Sequence, residues 1–154
     1  MVGAPDTGRK TLVEMINELI EVNRDAVTGY MRAAEAIESA SLTAQMNQFA
    51  RQHDKCITDL STLVISLSGE PASERTATGQ PNRAWVTIGT IADEGQREAI
   101  LKECEYGERI VIQAYENALQ NPMPENVTKV IREQYETLKK ALDYVKAMRI
   151  VEQQ

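Results

Sequence analysis

The segment TLVEMINELIEVNRDAVTGYMRAAEAIES, residues 11–39, decides the fold, because its apolar residues recur in alternating steps of three and four. On a helix this spacing forms a single apolar stripe, made of Leu12, Ile16, Leu19, Ala26, Tyr30, Ala33 and Ile37. Thr11 and Glu14 have the spacing of a capping box, in which two side chains satisfy free backbone N–H groups at a helix start. One position in the stripe is polar, Asn23. The segment therefore predicts a long amphipathic helix with one polar residue facing the core.

Three further segments repeat this periodicity, so the sequence predicts four long helices. The second covers about residues 42–67, with Ser41 as its expected N-cap. The third covers about 94–120, and the fourth covers about 124–151 with Pro124 in its first turn. Each of these stripes also contains a polar exception, and the three exceptions are His53, Glu108 and Gln134.

The lengths of the connections predict the topology. Short turns join the first helix to the second and the third to the fourth, which predicts two antiparallel hairpins. Residues 68–93 form a connection too long for a turn, and we expect it to run the length of the bundle. Within it, residues 84–92 predict a short extra helix, with Trp85 covering the core. One long crossover is the ferritin-like connectivity, so the predicted fold class is an all-α, ferritin-like four-helix bundle.

Composition limits the function classes. The 154 residues predict a single domain, 1–154, with flexible ends at about 1–8 and 151–154. The net charge of −6 argues against nucleic acid and anionic membranes as partners. No apolar run approaches the roughly 18 residues that cross a bilayer, and the N-terminus has no signal-peptide pattern. Two cysteines, Cys56 and Cys104, are too few for a disulfide framework, so we expect a cytoplasmic protein.

On the predicted topology the four polar exceptions lie at similar heights, within roughly 8 Å of one another along the bundle axis. The buried polar layer is therefore predicted to consist of Asn23, His53, Glu108 and Gln134. One interpretation is a hydrogen-bonded layer that fixes helix register. A second is a degenerate metal site at His53 and Glu108. A third is a layer that orients a small apolar ligand in a cavity beside Tyr30, Phe49 and Tyr115.

The residues do not provide a di-iron centre, which needs a Glu-x-x-His motif on each of two helices. The chain has one histidine and no such motif. A mononuclear site at His53 and Glu108 lacks an obvious third and fourth ligand. The carboxylates of Glu133, Glu136 and the first helix fall mainly on outward faces. A nucleophile pair of His53 and Cys56 would face the core, away from substrate, so we expect no catalytic residues.

Several short motifs resemble a bacterial ferritin-like four-helix-bundle family of unknown function. They are Leu19-Ile-Glu21, Gly29-Tyr30 followed by Ala33-Ala34-Glu35, Leu67 with Gly69-Glu-Pro71, Glu103-Cys-Glu-Tyr-Gly-Glu108, Ala114-Tyr-Glu116 and Gln134-Tyr135. The resemblance covers about residues 12–149 and implies the ferritin-like fold without an established activity. Relatives carry a His before Asp in the last helix, where this chain has Leu142-Asp143, and this departure argues against a transferred metal role.

The functional expectation is a non-catalytic structural, interaction or stress-associated bundle that needs no cofactor. The alternative is a metal-binding, ferritin-like redox protein that holds iron, manganese or zinc at substoichiometric occupancy at His53 and Glu108. Val22, Ile65 and Ile110 lie off the core stripes, and together they would form a homodimer face. No other protein partner is predicted.

Overall fold

A computed structural model describes residues 11–73, Trp85 and residues 97–153. The chain forms an all-α bundle of four helices, α1 (Leu12–Ala36), α2 (Ala40–Ser66), α3 (Arg97–Leu119) and α4 (Glu125–Glu152). The four predicted helices are confirmed, with ends that differ by at most three residues. The predicted short helix at 84–92, except Trp85, and the predicted flexible N-terminus at 1–8 lie outside the described residues. At the other end, α4 continues through residues 151 and 152.

The start of α1 carries the predicted capping box. The Thr11 hydroxyl accepts a hydrogen bond from the Glu14 backbone N–H at 3.1 Å, and the Glu14 carboxylate accepts one from the Thr11 N–H at 2.9 Å. The reciprocal pair satisfies two of the N–H groups that a helix start leaves without partners. The first turn of the bundle is therefore specified by two residues three positions apart.

The start of α2 corrects the predicted N-cap. Ser39, not Ser41, caps the helix, and its hydroxyl accepts a hydrogen bond from the Leu42 N–H at 3.2 Å. The prediction counted back from the first apolar residue of the stripe, whereas the helix begins two residues earlier, at Ala40. Pro124 likewise lies at the N-cap of α4, one residue before the first turn in which it was predicted.

The end of α2 explains why glycine occupies position 69. Ser68 adopts the left-handed conformation, with φ of 63°, and Gly69 donates its N–H to the Val64 carbonyl at 2.9 Å. A Cβ on Gly69 would lie 2.9 Å from both methyl groups of Val13. The Gly69 N–H satisfies a carbonyl of the last turn of α2. Gly69 also lets the end of α2 approach α1 closely.

Side-chain contacts fix the direction of the helices. Asn17, near the start of α1, hydrogen-bonds the backbone of Glu70 and Ala72 just after α2. Arg97, at the start of α3, donates to the Glu38 carbonyl beyond the end of α1. Residues 72 and 97 therefore lie at opposite ends of the bundle, so that α2 and α3 run parallel, as the predicted connectivity requires.

Trp85 marks the course of this crossover. Its indole is 1% exposed, and its ring centroid lies 5.0 Å from that of Tyr30. A Cβ on Gly29 of α1 would lie 2.0 Å from the indole, and one on Gly107 of α3 would lie 2.4 Å from it. Two glycines in helix interiors, each normally destabilising by about 1 kcal/mol, are thus explained by the indole that packs against them.

The core runs the length of the bundle between the four helices. Helix α1 packs on α2 and α3, and α4 packs on α3 and more loosely on α2. In the described parts of the chain, no helix is long and apolar enough to cross a membrane.

Candidate functional site

The middle of the core contains a polar layer to which each helix contributes one residue. Asn23 from α1, His53 from α2 and Glu108 from α3 are fully buried, and Gln134 from α4 is 7% exposed. The structure therefore brings together all four residues of the predicted layer. Polar groups buried to this degree are destabilising unless they are hydrogen-bonded, so their partners decide what the layer can do.

Asn23 fixes the orientation of the histidine ring. The Asn23 amide nitrogen donates to the Leu19 carbonyl and to the Tyr115 hydroxyl, each at 2.8 Å. The Asn23 carbonyl oxygen is thereby turned towards His53 Nδ1, at 2.6 Å. Because a carbonyl oxygen can only accept, His53 Nδ1 must carry a proton.

The other ring nitrogen faces a carboxylate. His53 Nε2 lies 3.0 Å from Glu108 Oε1, and both side chains are fully buried. Since Nδ1 is already protonated, a proton on Nε2 gives an imidazolium beside a carboxylate, and a proton on Oε1 gives a neutral pair. The pair carries no net charge in either state, which makes its complete burial tolerable.

Tyr30 adds a second hydrogen bond to the carboxylate oxygen that faces His53. Its hydroxyl donates to this oxygen, Glu108 Oε1, at 2.5 Å. Burial and the nearby Glu108 carboxylate raise the pKa of Tyr30 well above its usual value, so the phenol stays a neutral donor. The second carboxylate oxygen, Glu108 Oε2, is buried and has no hydrogen-bond partner among the residues that the structure describes.

Tyr115 connects the layer to α4. It accepts from Asn23 and donates to Gln134 Oε1 at 2.6 Å, and Gln134 Nε2 donates to the Cys56 carbonyl at 3.3 Å. Burial raises the pKa of Tyr115 well above its usual value. The layer is therefore one continuous chain of hydrogen bonds from Tyr30 to the backbone of α2.

The two tyrosines were missed as members of the layer, because the stripe pattern counts Tyr with the apolar residues. A signal was present in the spacing. Tyr30 follows Asn23 by seven residues and Tyr115 follows Glu108 by seven, which places each pair on one side of its helix, two turns apart.

The cysteines are not placed to act as nucleophiles. Both are free and buried. Burial raises the pKa of Cys56 to about 12, and burial also raises the pKa of Cys104 far above its usual value. Cys104 Sγ contacts Met46 Sδ at 4.0 Å, and both nitrogens of His53 are directed at other residues. Because only the thiolate reacts readily, neither thiol is activated by its surroundings.

The residues of the layer do not fit a di-iron centre. Such a centre needs several carboxylates to balance two cations, whereas this layer offers one carboxylate and two neutral amides. Both ring nitrogens of His53 are engaged by hydrogen bonds. Within the described residues, no three His, Cys, Asp or Glu side chains lie close enough to share a metal ion.

A second buried carboxylate, Glu105, was not anticipated. It is 7% exposed and accepts hydrogen bonds from Arg109 at 2.6 Å and from Arg149 of α4 at 2.5 Å. Desolvation acts to raise the pKa of Glu105, but the two guanidinium groups outweigh it and lower the pKa below its usual value. The Glu105–Arg109 spacing of four was visible in the sequence, whereas the contact with Arg149 depends on how α3 and α4 pack.

The residues predicted to face outward, or to form a homodimer face, differ in how exposed they are. Glu133 and Glu136 are exposed on α4, as their outward assignment predicted. Of the apolar residues suggested for a homodimer face, Ile65 is 63% exposed, while Val22 and Ile110 are partly buried.

The protein is thus an all-α bundle whose buried polar residues form hydrogen bonds mainly with one another. Comparison with protein-family models matches residues 11–121 to a domain of unknown function, DUF2383. The chain belongs to this family. The match spans α1 to α3 and so includes Asn23, His53 and Glu108, whereas Gln134 lies beyond it. A search of curated proteins found no match.

Proposed function

We propose that this protein is a non-catalytic, ferritin-like bundle that acts through its surfaces, in a structural, interaction or stress-associated role. In this proposal the hydrogen-bonded layer replaces the di-iron centre of ferritin-like proteins. The observation that carries it is the engagement of both His53 ring nitrogens, by Asn23 at 2.6 Å and by Glu108 at 3.0 Å. The ferritin-like relationship is supported by the single long crossover between parallel α2 and α3.

Charge balance also supports the proposal. A divalent cation at His53 would displace the shared proton and break the bond to Glu108. Asn23 and Gln134 would offer only neutral amide oxygens to offset the added charge. Because an uncompensated charge in a buried site is strongly destabilising, the layer is better suited to holding the helices in register than to holding a metal.

The setting that we propose is the cytoplasm of a bacterium, where the protein is a homodimer. Two buried, unpaired cysteines are typical of a reducing compartment. Ile65 is 63% exposed at one end of the bundle and Val151 is 66% exposed at the other, so a second copy has apolar surface available at either end. Light scattering of the purified full-length chain tests this part, and a monomer at all concentrations would contradict it.

Elemental analysis by mass spectrometry tests the central claim. Untagged protein is purified without chelator from metal-supplemented cells, alongside Glu108→Gln and a matched control, Glu136→Gln on the exposed face of α4. We expect all three proteins to contain iron, manganese and zinc far below one ion per chain. Near-stoichiometric metal that is lost in Glu108→Gln but retained in Glu136→Gln would refute the proposal.

The second candidate is a metal-binding redox protein that uses His53 and Glu108. One observation favours it: Glu108 Oε2 is buried, has no hydrogen-bond partner within the described parts of the chain, and is therefore an oxygen available to a cation. The same measurement separates the two candidates, because only the second predicts that metal content depends on Glu108.

A further inference from the structure

A groove of about 490 Å³ opens between α2 and α4. These two helices are the least closely packed of the neighbouring pairs in the bundle. Sites that hold small molecules in proteins have volumes of roughly 300–1,000 Å³. The groove is distinct from the cavity beside Tyr30, Phe49 and Tyr115 that the third interpretation of the sequence required, since none of these residues lines it.

The buried floor of the groove carries a hydrogen-bond donor. Gln134 and Cys56 form this floor, and both are more than nine-tenths buried, with exposures of 7% and 5%. Gln134 Oε1 is taken by the Tyr115 hydroxyl, and one N–H of its amide is directed at the Cys56 carbonyl. A side-chain amide has two N–H groups, so the second can donate to a molecule in the groove.

A wall of the groove carries a hydrogen-bond acceptor. Gln52 lies one helical turn before Cys56 and lines the same groove. Its amide oxygen, Oε1, is buried and has no hydrogen-bond partner in residues 11–73, Trp85 or 97–153. Because a buried acceptor without a donor is unfavourable, a ligand that supplies an N–H gains more here than it would at an exposed amide.

The remaining residues that line the groove determine how apolar the ligand is and what charge it carries. Leu63 and Val130 provide apolar surface beside the two amides. At the rim, Lys55 is paired with Asp59 at 2.9 Å, and Glu133 leaves the rim with a net negative charge. This arrangement disfavours anions and provides no unpaired cation to bind them.

We propose that the groove binds a small, uncharged, planar molecule whose edge carries an N–H donor beside a carbonyl acceptor, as in a lactam or a carboxamide. The ligand N–H donates to Gln52 Oε1, the ligand carbonyl accepts from the Gln134 amide, and the ring packs on Leu63 and Val130. This inference does not depend on the function proposed above, because the groove lies on the surface of the bundle and its ligand needs no metal.

The test is a titration of the ¹⁵N-labelled full-length chain, followed by ¹H–¹⁵N NMR, with 2-pyridone as the probe. N-methyl-2-pyridone is the matched probe, because it keeps the ring and the carbonyl but lacks the donor. We expect saturable shifts of the Gln52 and Gln134 side-chain amides at about millimolar concentration with 2-pyridone, and weaker binding by about three- to tenfold with the methylated probe.

Two variants assign the binding to the groove. Gln52→Met removes the acceptor at nearly constant volume, and Gln48→Met makes the same change on an exposed part of α2 outside the groove. We expect Gln52→Met to weaken 2-pyridone binding about three- to tenfold and Gln48→Met to leave it unchanged. Equal affinity for both probes in the native protein, or no saturable shift up to about 20 mM, would overturn the proposal even if Gln52→Met failed to fold.

Discussion

Replacing Gly29 with alanine tests how tightly the Trp85 indole is packed between α1 and α3. Two effects oppose each other in Gly29→Ala. Alanine is favoured over glycine in a helix interior by about 1 kcal/mol. The new Cβ, however, would lie 2.0 Å from Trp85 Cε3, far inside the roughly 3.5–4.0 Å of a normal carbon–carbon contact.

The indole has little room to retreat from the new methyl group. On its other side the backbone of Gly107 is so close that a Cβ there would lie 2.4 Å from the ring. Overpacking of this kind costs about 1–3 kcal/mol, and expulsion of the whole indole would cost more. We therefore expect a net loss of up to about 2 kcal/mol in the free energy of unfolding, and a fall in Tm of up to about 8 °C.

A double-mutant cycle with Trp85→Leu separates the clash from the change in helix propensity. Urea unfolding followed by circular dichroism gives the free energies for the native protein, both single variants and the double variant. In the Trp85→Leu background the clash is relieved, so Gly29→Ala should be neutral or stabilising by up to about 1 kcal/mol. If Gly29→Ala stabilises the protein that retains Trp85, or has the same effect in both backgrounds, the packing argument is refuted.

Three further predictions concern buried groups. His53→Ala leaves both partners of the ring unsatisfied and should lower the free energy of unfolding by about 1–3 kcal/mol in urea, and a loss below about 0.5 kcal/mol would contradict this. Because burial raises the pKa of Cys56 to about 12 and that of Cys104 further, neither thiol should react with a disulfide reagent at pH 8 without unfolding, so rapid labelling of the folded protein would be the opposing result. The lowered pKa of Glu105 stabilises the fold above the usual Glu pKa of about 4.3, and this contribution is lost as pH falls through the folded value. Arg149→Met should therefore destabilise the protein at pH 7, and the difference from the native protein in urea unfolding should shrink as pH falls below about 4, whereas a pH-independent difference would count against it.

The sequence predicts the helices and the layer because both depend on the same local periodicity. A stripe with a three- and four-residue repeat identifies the buried face of each helix, and a polar residue within the stripe is then buried by the same rule. Height along the axis follows from the rise per residue, so the sequence alone places Asn23, His53, Glu108 and Gln134 in one layer.

The remaining features depend on how the helices pack against one another. Tyr30 and Tyr115 join the layer through hydroxyl groups that a hydrophobic scale ignores. The contact between Glu105 and Arg149 requires the relative rotation of two helices, which periodicity fixes only to within a residue or so. Trp85 packs between Gly29 of α1 and Gly107 of α3. These three residues are far apart in the sequence, and no local pattern predicts that they meet.

The hydrogen bonds of the layer imply an order of assembly. Two of them join the two helices of a single hairpin. His53 bonds to Asn23 in the first hairpin and Tyr115 to Gln134 in the second, at sequence separations of 30 and 19. The four that join the two hairpins span 55 to 92 residues. Since contacts between distant residues require closure of a long loop first, each hairpin should form rapidly and their docking should limit the rate of folding. Any of these bonds between the hairpins that closes only after docking is absent from the transition state, so its loss accelerates unfolding more than it slows folding, and such bonds set the lifetime of the folded bundle.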